Sequence, residues 1–313
     1  MGELESENRS VRVGVAYGLA AYGLWGVFPL YFKVLDNAGV TPWEILVHRI
    51  LWSALLLAAL ITLQKRWREL WTAACNRKTL ATLCISTLLI AINWLTFLYA
   101  IAIDQVLQAS LGYFLTPLMN VLIGVTVLGE RLRPAQLVGV GLASTGVLLM
   151  AYVGQQVPWI ALLLAVSFAF YGLCRKTVAV DSMLGLSIET LLLAPLASGV
   201  LFWLYRTDTA QASGWLSWTL LALSGVATAT PLLFFASAAR RLRFVTIGFL
   251  QYVGPTIQFL IAVLVFGEAF SGVKVISFGL IWLAIAIYCV DTVLAYRRYP
   301  AARPEPALPL EDL

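Results

Sequence analysis

The sequence predicts an all-α integral membrane protein whose ten transmembrane helices form two inverted five-helix repeats. Composition is the first observation behind this prediction, since 61% of the 313 residues are hydrophobic and only 12% are charged. Such a chain has too little polar surface to cover a water-soluble globule. The other two observations are a succession of ten apolar stretches and a motif that occurs once in each half of the chain.

The apolar stretches are each long enough to cross a bilayer, which takes about 20 helical residues. Their bounds are near 13–33, 44–63, 80–102, 106–128, 136–153, 157–174, 184–205, 215–238, 244–266 and 273–295. The uncharged run from Pro134 to Cys174 is long enough for two helices, and a breaker cluster from Gly154 to Pro158 divides it. We therefore place the first repeat at 1–153, the second at 154–296, and a disordered tail at 297–313.

The basic residues alternate between the two ends of these spans. One side carries Lys33, Arg206 and Lys274, and the other carries Arg9, Arg12, Lys65, Arg66, Arg68, Arg77, Lys78, Arg131, Arg133, Arg175, Lys176, Arg240, Arg241, Arg243, Arg297, Arg298 and Arg303. Basic loops stay in the cytoplasm, so we predict a multi-pass protein of the bacterial inner membrane with both termini cytoplasmic. The Lys and Arg residues behind the net charge of +5 therefore determine how the helices are oriented in the membrane, and we expect no nucleic-acid partner.

The fourth and ninth spans share a sequence pattern. They read FLTPLMNVLIGVTVLGE and YVGPTIQFLIAVLVFGE, so Pro117 and Glu130 have the same spacing as Pro255 and Glu268. Because each repeat holds an odd number of spans, the second copy enters the membrane from the opposite side. Inverted repeats of this kind are typical of alternating-access transporters.

These paired P-x11-G-E motifs resemble the EamA-type drug/metabolite transporter superfamily. Within that superfamily the chain is similar to the RarD proteins, which are named for chloramphenicol sensitivity, in the strings VHRILWS, INWLTF, QASLGYFLTPLMN, SFAFYGLCRK, SIET, RLRFVTIGFLQYVGPT and SFGLIWLAIAIY. The resemblance implies a ten-helix secondary transporter with both ends in the cytoplasm. It also implies the export of amino acids, related metabolites or drugs.

Ionisable side chains inside the spans are candidates for substrate or proton binding, because each costs roughly 2.5–3.5 kcal/mol in the membrane. Glu44 and His48 share a face of the second span, Arg49 lies beside them, and Glu189 lies about as deep in the seventh span. Arg49 or Glu189 could bind a charged group of the substrate, and His48 with Glu44 could relay a proton. Alternatively, these residues form ion pairs that fix helix packing, or extend to the interface.

Uncharged polar residues give a second set of candidates. Proline in a membrane helix frees a backbone carbonyl that lipid cannot satisfy, so such helices face protein or a water-lined cavity. We predict helix breaks at Pro117 and Pro255 and a shared central space reached by Asn120 and Gln258. The proposed lining consists of Asn93, Trp94, Tyr113, Asn120, Gln251, Tyr252 and Gln258, completed by Thr228, Thr230 and Pro231. The alternative role of these side chains is interhelical hydrogen bonding worth about 1 kcal/mol each.

Two other classes of protein compete with a transporter. A membrane-embedded enzyme needs a nucleophile with its base or a metal cluster, but the chain has one histidine and neither an H-E-x-x-H nor a G-x-S-x-G motif. A receptor or scaffold without transport has no need of an inverted repeat. We therefore predict alternating-access transport of a small molecule, with lipid as the other partner, no cofactor or metal, and a monomer or homodimer.

Overall fold

The computed structural model describes residues 2–103, 105–153, 159–265, 267 and 272–298. The breaker cluster at 154–158, Glu268 and the tail from residue 299 lie outside them. Within the described residues all regular structure is helical. The helices are α1 (Gly2–Asn37), α2 (Pro42–Leu63), α3 (Trp67–Cys75), α4 (Arg77–Ala102), α5 (Val106–Thr126), α6 (Pro134–Val153), α7 (Trp159–Thr177), α8 (Ser182–Arg206), α9 (Gly214–Ala239), α10 (Phe244–Gln251), α11 (Val253–Leu264) and α12 (Gly272–Arg298).

The described residues contain ten helical spans long and apolar enough to cross a membrane, which confirms the predicted spans. α10 and α11 together form the ninth span, and the short α3 adds a helix that the sequence analysis did not predict. Helices suit this environment because their backbone groups bond internally, where lipid offers no partner. Large apolar side chains such as Leu196 and Phe202, each 65% exposed, cover the outer surface of the bundle.

The helix contacts follow the same pattern when each helix is replaced by its counterpart in the other half of the chain. α1, α2, α4, α5 and α6 correspond in order to α7, α8, α9, the α10–α11 pair and α12. The contact of α1 with α9 then matches that of α7 with α4, α2 with α9 matches α8 with α4, and α1 with α11 matches α7 with α5. The pairs α2–α8, α5–α10 and α6–α12 join corresponding helices to each other. This is the packing expected of two inverted five-helix repeats.

Contacts among the loops define two ends of the bundle. At one end the Arg66 guanidinium pairs with the Asp181 carboxylate, which links the α2–α3 connection to the α7–α8 connection. Arg243 Nη2 donates to the Arg131 carbonyl at 2.6 Å, and Lys176 Nζ donates to the carbonyl of residue 242, also at 2.6 Å. These interactions bring the basic connections together, and we call this end the basic end. The α1–α2 and α8–α9 connections meet at the opposite end.

The two motif helices differ in shape. The ninth span is interrupted at Tyr252, directly after Gln251, whose carbonyl lies four residues before Pro255 and therefore has no amide proton to accept. α5 instead runs unbroken through Pro117, contrary to the predicted break. α10 packs directly on this turn of α5, since a Cβ on Gly248 would lie 2.6 Å from the Pro117 carbonyl oxygen. Packing against neighbouring helices lets a membrane helix continue through a proline.

Candidate functional site

Arg49 lies where five spans converge. Its Nε donates to Thr228 Oγ1 of α9 at 2.9 Å, and its Cζ lies 4.7 Å from the centre of the Trp94 ring of α4. The hydroxyl groups of Tyr31 of α1 and Tyr113 of α5 lie within electrostatic range of the guanidinium. Four other helices therefore orient one cation of α2, and we call these five residues the Arg49 site.

The Arg49 site keeps accessible surface although it lies inside the bundle. Arg49, Trp94 and Tyr31 are each half-buried, and Tyr113 is 38% exposed. A guanidinium is strongly disfavoured against lipid, and these side chains come from helices that surround it. The helices around the Arg49 site therefore leave part of its surface uncovered.

The charge of Arg49 has no counterion in the part of the chain that the structure describes, where every salt bridge involves other residues. Among the described residues, its hydrogen bond to Thr228 uses Nε alone, so the two terminal nitrogens remain available. An arginine stays charged in proteins. The site therefore presents a stacked guanidinium with a free donor edge, which is suited to an anionic group.

Glu44 is occupied by structural hydrogen bonds. Its Oε1 accepts from the backbone N–H groups of residues 211 and 212 at 3.0 and 2.9 Å, which fixes the α8–α9 connection. Its Oε2 accepts from the backbone N–H and hydroxyl of Thr41 and completes a capping box at the start of α2. His48 instead packs edge-on against Trp218, and its Nε2 has no hydrogen-bond partner among the described residues. The suggested Glu44–His48 proton relay therefore has no direct hydrogen bond in the described structure.

Glu189 forms a buried ion pair, not a part of the Arg49 site. Its Oε1 accepts from Ser86 Oγ at 2.5 Å and lies 3.4 Å from Arg175 Nη1, and the Tyr171 hydroxyl lies 3.4 Å from its Oε2. Arg175 also donates to the Ser182 carbonyl at 2.9 Å. The Arg175 side chain is 0% exposed and that of Glu189 is 2% exposed. The assignment of Arg175 to a loop was wrong, because this residue lies in the last turn of α7 and points into the bundle.

The predicted amide side chains mostly join helices. Asn93 donates to the carbonyl of residue 164 in α7 at 2.9 Å, and Gln258 donates to the Trp25 carbonyl of α1 at 3.1 Å. Asn120 donates to Gln251 Oε1 at 2.7 Å, in a bond that joins the two motif helices. Asn120 thus bonds to Gln251 and Gln258 bonds to α1, and a central space shared by Asn120 and Gln258 stays a prediction.

Tyr252 is also buried, at 2% exposure, and lies in an apolar cluster with Phe278 and Phe114. Among the residues predicted to bind substrate or line the cavity, the structure brings together Arg49, Trp94, Tyr113 and Thr228. Tyr31 completes the site without having been predicted, because nothing in its local sequence distinguishes it from other aromatic residues near span ends. Arg175 was missed because it ends an apolar stretch, although the need of Glu189 for a partner was a signal.

Ten spans in two inverted halves around an accessible central cation define a membrane protein of the transporter type. A model described as the EamA-like transporter family matches residues 12–152, which run from α1 into α6. An uncharacterized transporter of Vibrio cholerae is 44% identical over 92% of this chain and 96% of its own length. The protein RarD of Escherichia coli is 42% identical over 93% of this chain and 98% of its own.

The chain belongs to the RarD proteins of the EamA-like transporter family. A relative from Pseudomonas aeruginosa, called chloramphenicol-sensitive protein RarD, is 32% identical over 91% of this chain and 96% of its own length. A solved crystal structure matches with a TM-score of 0.71 over 90% of this chain and 98% of that one, at 18% identity. This last likeness shows that the fold is shared.

Proposed function

We propose that this protein exports a small metabolite with a negatively charged group from the bacterial cytoplasm by secondary, alternating-access transport. Amino acids, related metabolites and drugs with a carboxylate are the substrate candidates. The basic end faces the cytoplasm in this proposal, with both termini on that side. The observation that carries the proposal is Arg49, a central, accessible arginine without a counterion among the described residues.

The geometry of the Arg49 site explains how it would hold such a substrate. The Trp94 ring and the Thr228 hydroxyl fix the guanidinium plane, so its terminal nitrogens can donate two parallel hydrogen bonds to one carboxylate. The aromatic faces of Tyr31 and Tyr113 offer apolar contact to the rest of the molecule. A hydrogen bond to a charged group contributes about 1.5–3 kcal/mol. This free energy is enough to bind the substrate and small enough for the substrate to dissociate quickly.

The symmetric packing supports alternating access. The two motif helices touch where Gly248 meets Pro117, and the Asn120–Gln251 bond lies beside this contact. Helices on either side of such a contact can tilt in opposite senses, which opens the site to one end and then to the other. Relatives that are named transporters support the same class of function.

Proteoliposomes loaded with candidate solutes test the proposal. Efflux is followed for amino acids, aromatic carboxylates, their neutral amides and chloramphenicol, with wild type and Arg49 variants. We expect a carboxylate to move faster than its amide, Arg49→Ala to reduce its flux by roughly 10- to 100-fold, and Arg49→Lys to recover only part of the flux.

Arg206→Ala is the matched control, because Arg206 is an exposed arginine in the last turn of α8 that stacks on Phe202. Its flux should equal that of wild type. Absence of flux for every solute class would contradict the transport proposal. Unchanged flux in correctly inserted Arg49→Ala would make Arg49 a packing residue and leave transport itself standing.

A further inference from the structure

The short helix α3 has an amphipathic arrangement that the transmembrane helices lack. Leu70 and Ala73 are buried against α4 and α8, in an apolar cluster that also contains Leu184. Trp67 and Trp71, one turn apart, are 46% and 74% exposed. α3 therefore lies on the outside of the bundle and presents an aromatic face away from it.

Four exposed cations lie in or next to α3 along the chain. Lys65 precedes α3, Arg68 lies in its first turn, and Arg77 and Lys78 begin α4. None of the four has an ion pair within the described part of the chain, whereas Arg66 between them pairs with Glu69 and Asp181. We call Lys65, Arg68, Arg77 and Lys78 the cationic patch, and it carries four positive charges that the protein leaves uncompensated.

The position of the patch is that of the lipid headgroups. α3 connects the end of one span, Leu63, to the start of the next, Arg77, so it lies at the level where the apolar part of the bundle ends. Tryptophan rings concentrate at this level because they are partly apolar and partly polar. Basic side chains at the same level attract acidic headgroups, with about 1 kcal/mol for each Lys or Arg.

We propose that α3 and the cationic patch form a binding surface for the headgroups of acidic phospholipids in the leaflet at the basic end. The two tryptophans would insert among the acyl chains just below the phosphates, and the cations would contact the phosphates. The occupant is a lipid because the charge and the exposed aromatic face occur together, and a soluble anion would use the charge alone. This inference is independent of the substrate of the Arg49 site.

Native mass spectrometry of the purified full-length protein in mild detergent tests the proposal. The protein is titrated with phosphatidylglycerol or phosphatidylcholine carrying identical acyl chains. We expect phosphatidylglycerol to bind at least about tenfold more tightly, and this preference to shrink as salt is added. Inorganic phosphate at the same concentration should not displace it.

Neutralising two patch residues localises the binding. Arg68→Gln/Arg77→Gln should weaken phosphatidylglycerol binding by on the order of tenfold. Arg9→Gln/Arg131→Gln, which removes two exposed cations elsewhere, should change it by less than about twofold. Equal binding of the two lipids by wild type, or equal losses in both double variants, would overturn the proposal. The comparison of the two lipids on the wild-type protein tests the proposal even if a variant fails to fold.

Discussion

Arg49 and Glu189 occupy the same position in the two halves of the molecule. Each is the eighth residue of its helix, counted from Pro42 in α2 and from Ser182 in α8. At 1.5 Å per residue both lie about 10 Å from the start of their helices, and the inversion places these starts at opposite ends of the bundle. Two corresponding membrane positions thus carry opposite charges.

The surroundings of the two charges differ in accessibility and in the presence of a partner of opposite charge. Glu189 is enclosed and pairs with Arg175, while Arg49 is accessible and lacks a described carboxylate partner. A buried ion pair with both partners present fixes helix packing, whereas an accessible cation can exchange ligands. The pair therefore fits a role in the scaffold, and in the proposed function it is Arg49 that exchanges ligands.

The first prediction concerns this scaffold pair. Glu189→Gln should destabilise the protein by about 3–5 kcal/mol, because it leaves the Arg175 charge buried without a counterion. The double variant Arg175→Met/Glu189→Leu should be more stable than Glu189→Gln, since it removes both charges together. Thermal unfolding in detergent, monitored by the circular dichroism of the helices, measures the difference.

Asp36→Asn serves as the control for that prediction. It breaks the Lys33–Asp36 pair, whose side chains are 56% and 74% exposed, and should shift stability by less than about 1 kcal/mol. If Glu189→Gln lost no more stability than this control, the buried pair would contribute little to the stability of the protein.

A second prediction concerns Glu130, the last residue of the first repeat motif. Its two carboxylate oxygens accept from the backbone N–H groups of Phe244 and Val245, at 2.5 and 2.8 Å, and so cap the start of α10. Glu130→Ala should cost about 1–2 kcal/mol, because the first N–H groups of a helix have no other partner. Glu130→Gln keeps one acceptor oxygen and should fall between wild type and Glu130→Ala in the same unfolding assay.

The spans could be predicted because they depend on local composition and length. α3 was missed because nine residues that include Arg68 and Glu69 resemble a loop, although Trp67, Leu70 and Trp71 have helical spacing. The contacts of Asn120 with Gln251 and of Arg175 with Glu189 depend on which helices meet and at what height. One sequence does not contain that information, and the inverted repeat alone did not indicate that Asn120 bonds to Gln251.

A third prediction concerns pH and Asp181, which lies outside the spans at the start of α8. Partial burial acts to raise the pKa of this carboxyl, but the N–H of Leu184, the Arg66 guanidinium and the N–H of Met183 outweigh it and hold the pKa below its ordinary value. A lowered folded-state pKa means that the stabilisation is present above about pH 4, the unfolded value. It is lost as the pH falls through the folded value.

Asp181→Asn keeps a capping oxygen but removes the charge that pairs with Arg66. Its unfolding temperature should therefore be lower than that of wild type at pH 7, and the gap should close as the solution is acidified below about pH 4. A gap that stays constant from pH 7 to the acid limit would show that the charge of Asp181 is irrelevant to stability.

The last prediction links packing to the Arg49 site through Gly225. A Cβ at this position of α9 would lie 2.5 Å from the backbone carbon of Trp52 and 2.8 Å from the backbone nitrogen of Ser53, both in α2. Backbone atoms cannot rotate away, so Gly225→Ala must push α2 and α9 apart at a cost of about 1–3 kcal/mol. Thr228 lies one turn from Gly225, and Arg49 lies one turn from Ser53, so the same displacement should lengthen the Arg49–Thr228 hydrogen bond of 2.9 Å. We therefore expect reduced substrate flux together with reduced stability.

Gly199→Ala is the matched control for Gly225→Ala, because Gly199 is an exposed glycine of α8 with open space around its Cβ position. There alanine should be neutral or stabilise by up to about 1 kcal/mol through its higher helix propensity, with flux unchanged. Normal flux and stability in Gly225→Ala would show that α2 and α9 do not need this close approach to hold Arg49 in place.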